Sequence, residues 1–162
     1  MKIRKGFVSN SSSSSFVVAF PSIPKSEEEL RIQMFNNEDE DKVWAYGITV
    51  GRIVQEVFND IKISGKKATK KQIFESIAYG WFPERPEYPT IRYNEEGYKE
   101  ELEKYEKKSD KTAMKIAEKF IKNNKGSVIY VFSYSDNDGT LQSTMEHEYI
   151  FSNLPHIETS YH

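Results

Sequence analysis

Residues 127–134, Ser-Val-Ile-Tyr-Val-Phe-Ser-Tyr, carry the strongest strand signal in the chain. β-Branched and aromatic side chains fill the run, and Gly126 before it is a good C′ residue for the preceding helix. A second apolar run, Phe16-Val-Val-Ala-Phe20, is closed by Pro21 and reads as a short buried strand. The two lie near opposite ends of the sequence, and most of what separates them reads as helix. They are expected to pair with each other, which predicts an α/β (α+β) fold: a small mixed or antiparallel sheet with several helices packed on it. At 162 residues the chain is expected to be one domain, 1–162, large enough for a core without disulfide or metal staples. Ten Tyr and ten Phe supply apolar bulk for that core.

The helices announce themselves by their caps. Ser26 with Glu29 starts one that runs to about Asn36. Glu38 to Asp41, an unbroken acidic run, reads as an exposed loop. Thr49 caps the next, in which Ile53, Val54, Val57, Phe58 and Ile61 recur at helical spacing before Gly65. Thr69 with Gln72 opens a third, ended by Gly80. The proline- and aromatic-rich stretch from Trp81 to Pro89 cannot be helical throughout, and is expected over an edge of the core or as a recognition surface. A charged helix is expected from Asn94, with a break at Ser109-Asp110 that caps a further helix carrying Ala113, Ile116, Ala117, Phe120 and Ile121. Asn137-Asp138-Gly139 is a turn signal, so 140–150 is expected to return as an antiparallel strand.

Composition excludes several function classes. A net charge of −2 does not favour nucleic acid or a membrane surface. No apolar run approaches the roughly 20 residues that span a bilayer. The basic start Met1-Lys-Ile-Arg-Lys is followed by a polar serine tract, so no signal peptide is expected. With no cysteine, thiolate catalysis and thiolate metal sites are out, and a cytoplasmic location is expected. Lys66, Lys67, Lys70 and Lys71 form a basic patch at a helix start, where they oppose the helix dipole. Without an aromatic platform nearby, nucleic acid is not the expected partner.

The unusual polar chemistry lies at the two ends. Five serines, Ser11 to Ser15, feed straight into the first strand. The segment has two readings: a polar lead-in to the strand, or a loop whose hydroxyls and N–H groups hold an anion, with Arg4, Lys5, Asn10 and Ser14 as candidates. It lacks the glycines and the Gly-Lys-Ser/Thr ending of a phosphate-binding loop. At the far end His147, His156 and His162 share a stretch with Asp136, Asp138, Glu146, Glu148 and Glu158. Imidazole and carboxylate hold zinc, manganese or iron where cysteine is absent, so a divalent metal on His147, His156 and His162 is a candidate cofactor. Ser11, Ser12, Ser13, Asp136, Glu146, His147 and His156 are candidate catalytic groups. An EF-hand alignment on Gly139 puts Tyr134 first and Met145 twelfth, where acids are required. Glu146-His-Glu148 is similar to the Glu-x-Glu of ADP-ribosyltransferases, but Arg4 and Ser11 to Ser15 are too close together for the two strands that fold uses.

The segment from Lys5 to Phe16, Lys-Gly-Phe-Val-Ser-Asn-Ser-Ser-Ser-Ser-Ser-Phe, resembles the opening of a family of uncharacterised bacterial and phage proteins. Part of that family is also similar around Tyr134 to Gly139, Glu146-His147 and Leu154 to Ile157. The resemblance covers the two ends and implies a microbial or phage accessory protein, without naming an activity. Two functions are therefore expected to compete. One is a binding or regulatory module engaging a protein or small molecule. The other is a metal-dependent hydrolase or transferase using the serine tract with the C-terminal acid–histidine cluster. Antiparallel pairing of the two strands would bring the serines near Asp136; parallel pairing would separate them.

Overall fold

The computed structural model describes residues 13–161, Tyr161 in its backbone only. The chain forms β1 (Ser13–Phe20), α1 (Glu27–Phe35), β2 (Val43–Ala45), β3 (Ile48–Thr49), α2 (Val50–Ser64), α3 (Lys70–Ala78), α4 (Tyr98–Asn123), β4 (Val128–Ser135), a 3-10 turn (Asp136–Asp138), α5 (Thr140–His147) and β5 (His156–Tyr161). It is a mixed α/β protein. The main sheet has the order β4-β1-β5, antiparallel throughout, and β2 and β3 form a separate two-stranded ribbon.

β1 is the central strand, which explains its unbroken apolar sequence. Residues 16–20 are all buried, because helices cover both faces of the sheet. On one face Phe16, Val18 and Phe20 join Tyr130, Phe132 and Tyr134 of β4 against α1, α2 and the segment 145–154. On the other, Val17, Ala19 and Ile129 meet Ile73 and Ile77 of α3 and Ala113 and Ala117 of α4. Phe20 has no exposed surface and touches Tyr130, Phe132 and Phe151 edge-on. Truncating a phenylalanine so placed costs about 3–5 kcal/mol.

The caps act as their residue types require. Thr49 accepts from the Arg52 N–H, and Gly65 ends α2 in the left-handed region at φ 61°. Thr69 and Gln72 form the complete reciprocal box. At α1 only half of it forms: Ser26 accepts from the Glu29 N–H, but the Glu29 carboxylate takes the Lys25 N–H at 3.0 Å. The connection after α3 covers the outer edge of β5, as its proline-rich sequence suggested. The Trp81 N–H reaches the Ser160 carbonyl at 2.8 Å, and Phe82 is buried. The guanidinium of Arg85 then ties the Gly80 carbonyl to the Tyr105 hydroxyl.

Two expected elements are corrected. Ser109-Asp110 does not break the charged helix: α4 is continuous over 26 residues. Ser109 is buried and continues the stripe of small residues, Ala113 and Ala117, at four-residue spacing. Small side chains there let α3 approach closely, and that packing outweighs the capping tendency of serine. Nor is 140–150 a returning strand. Gly139, at φ 100°, launches α5, and the Thr144 hydroxyl bonds the Thr140 carbonyl one turn back. Met145 and Ile150 then fill the core, and the third strand comes from His156–Tyr161 instead.

Ser109 generates a test of this packing. Its hydroxyl is buried with no hydrogen-bond partner among the described residues. Ser109→Ala removes that orphan and improves helix propensity, so stability is expected to rise by about 1 kcal/mol in urea unfolding. A loss of stability would show that the hydroxyl contributes to the α3–α4 contact.

Candidate acid–histidine site at the end of the sheet

β1 pairs with β4 in the antiparallel sense, with Ser13 opposite Ser135 and Ser14 opposite Tyr134. The end of the serine tract is thus beside Asp136, in the turn that leaves β4. α5 folds back from that turn over the same sheet end. Glu146, in its last turn, is carried beneath Ser14, 132 residues away in sequence. The Ser14 hydroxyl donates to Glu146 Oε1 at 3.4 Å, both residues being buried.

The second carboxylate oxygen gives the site its chemical character. The Glu146 side chain has no exposed surface, and among the described residues its Oε2 finds no hydrogen-bond donor. His147 Nε2 stands 3.6 Å from it, beyond hydrogen-bonding distance. Asp136 completes the group: one ligand atom each from Asp136, Glu146 and His147 all lie within 4.8 Å of one another. Ligand atoms sharing one ion at about 2.1 Å sit roughly 3–4 Å apart, so modest side-chain rotation closes the set. Two carboxylates and an imidazole suit manganese, iron or zinc. Asp136 and His147 are exposed, so the outer side of the cluster faces solvent.

Glu158 belongs to the same electrostatic neighbourhood. It sits on β5 opposite Phe16. Burial of its carboxyl raises its pKa; His156 and His147 pull it down, and Glu146 pushes it further up.

The candidate residues divide three ways. Ser14, Asp136, Glu146 and His147 are brought together. Ser13 sits at the same sheet end, half-buried at the start of β1. His156 is not brought in: it pairs with Val18 at the opposite end of β5, about 13 Å along the strand from the Ser14 level. Its Nδ1 lies 2.9 Å from the Leu154 carbonyl. Arg4, Lys5, Asn10, Ser11, Ser12 and His162 lie outside the described residues. Ser14, expected to face an anion, donates instead to a carboxylate of the protein itself. A strand over 140–150 would have put Glu146 and His147 on opposite faces, so their convergence depends on α5 being helical.

Compared with protein families, curated proteins and solved structures, the chain finds no match.

A buried carboxylate with one orphaned oxygen destabilises a protein that holds no cation there. In the presence of chelator at neutral pH, Glu146→Gln keeps an acceptor for Ser14 and removes the charge. It is expected to raise unfolding stability by about 1–2 kcal/mol. A fall would show that the carboxylate is satisfied without an ion.

Proposed function

We propose that the chain is an accessory binding module whose working part is a divalent-cation site formed by Asp136, Glu146 and His147. The observation that carries this is the fully buried Glu146 carboxylate, whose Oε2 has no hydrogen-bond donor among the described residues and which offers an oxygen within 4.8 Å of a ligand atom of each of the other two groups. A carboxylate oxygen stripped of water and given no donor is the arrangement a cation compensates best. Ser14 holds the other oxygen and so orients the carboxylate, as outer-shell partners do at metal centres. The partner is proposed to be a protein or small molecule presenting oxygen ligands to the open side of the ion. Among the described residues no helix is long and apolar enough to cross a membrane. The cytoplasmic setting expected from composition is carried as part of the same proposal.

A second reading, a metal-dependent hydrolase or transferase, is favoured by the exposure of Asp136 and His147. Three protein ligands with a solvent-facing position are what a catalytic ion needs to activate water or polarise a substrate oxygen. The two readings share the site and differ only in whether the bound partner is turned over.

Titration calorimetry with Mn²⁺ and Zn²⁺ on chelator-treated protein is expected to show one ion per chain. Asp136→Asn, Glu146→Gln and His147→Ala should each weaken binding at least about tenfold, whereas His156→Ala should leave it within about twofold. Absence of saturable binding by either ion, or binding indifferent to Glu146→Gln, would overturn the site.

A further inference from the structure

A groove opens at the opposite end of β4, between its first residues and the C-terminal turn of α2. Its volume is about 580 Å³, within the range of small-molecule sites. The floor is apolar and partly aromatic, with Phe58, Ile61 and Tyr130. Among the described residues four lysines line the groove, Lys25, Lys62, Lys66 and Lys67, and no acidic residue does.

These lysines come from three segments of the chain. Lys25 lies just before α1. Lys62 is in the last turn of α2. Lys66 and Lys67 follow Gly65, whose left-handed conformation turns the chain back. The Ala68 N–H then bonds the Ile129 carbonyl at 2.7 Å, which fixes that loop to the outer edge of β4. Among the described residues none of the four forms an ion pair, whereas the adjacent Lys70 and Lys71 pair with Glu118 at 2.6 Å and Glu75 at 3.7 Å. Lys62 favourably meets the negative end of α2, which explains one cation and leaves three. Its ammonium also lies 4.9 Å from the centre of the Phe58 ring, joining charge to the apolar floor.

We infer that this groove binds a small organic anion with an apolar body, such as an aryl phosphate or carboxylate. The lysines supply a positive field for which no ion-pair partner stands among the described residues. The floor supplies burial for a flat hydrocarbon part. A bare inorganic anion leaves the floor unused, and a neutral hydrocarbon leaves the charges unanswered. An extended polyanion is disfavoured because the basic run ends at Lys70 and Lys71, which are already paired. The groove stands about 23 Å along β4 from the acid–histidine cluster, so the two sites can be tested separately.

The probe is 1-naphthyl phosphate, titrated calorimetrically against the whole chain in the presence of chelator, alongside inorganic phosphate and 1-naphthol. Naphthyl phosphate is expected to bind one per chain, at least about tenfold tighter than either half-molecule, and more weakly as salt rises. Lys62→Gln combined with Lys66→Gln should weaken it at least about tenfold, and Phe58→Ala several-fold. Lys70→Gln with Lys71→Gln should leave it within about twofold. Thermal midpoints of all variants confirm that they fold. Equal affinity for 1-naphthol, equal affinity for inorganic phosphate, or no saturable binding would each overturn the inference. So would displacement of the probe by a single-stranded oligonucleotide at lower concentration than by inorganic phosphate.

Discussion

The antiparallel pairing of β1 with β4 is the contact on which the other features depend. It joins the two ends of the chain through eight residue pairs, from Ser13–Ser135 to Phe20–Val128. Once β1 is central, both faces of the sheet must be covered, and the long helical region between the strands supplies both layers. The direction of the pairing then decides what lies at each end of the sheet. Serines and the acid–histidine turn meet at one end. The closing turn of α2 and its lysines meet the start of β4 at the other.

The polar groups at the first end differ in burial. Ser14 and Glu146 sit inside the protein, while Asp136 and His147 stay at the surface. A buried carboxylate whose Oε2 has no hydrogen-bond donor among the described residues, beside an acid and an imidazole, is the kind of group a cation can compensate. The raised pKa of Glu158 belongs to the same crowding, since Glu146 adds to the burial that already penalises its charge. A similar economy marks the Tyr134 hydroxyl, which donates to Asp60 at 3.1 Å on the α2 side of the sheet. Burial lifts the Asp60 pKa, the tyrosine lowers it, and the nearby Glu56 raises it again. Because the folded-state pKa lies above the ordinary value, the stability linked to Asp60 is full below that ordinary value and lost as pH rises through the folded one.

Caps and periodicity were legible wherever the deciding partners lie within a turn or two. Ser26, Thr49 and Thr69 each cap the helix their neighbours implied. Failures came where a distant surface chose between local options. Serine and aspartate at 109–110 favour a cap in isolation, but the face of α3 makes a buried small residue worth more than a break. The 140–150 segment has a polar composition that suits strand or helix. The core site for Met145, together with the conformation of Gly139, selects the helix.

By itself the sequence determined the capped helices, most of their ends, the two strands that meet, and the residue kinds available for chemistry. Those properties follow from interactions between residues a few positions apart. The tertiary structure alone decided that β1 and β4 run antiparallel, that Ser14 lies over Glu146, and that His156 stands apart from His147. It also decided that Phe58 and Tyr130 lie beneath lysines from three separate segments. Each depends on contacts between residues far apart in the chain, where no local periodicity or spacing records which groups will be neighbours. Ser14, near one end of the chain, meets Glu146, near the other, only because the central strand runs opposite to its partner.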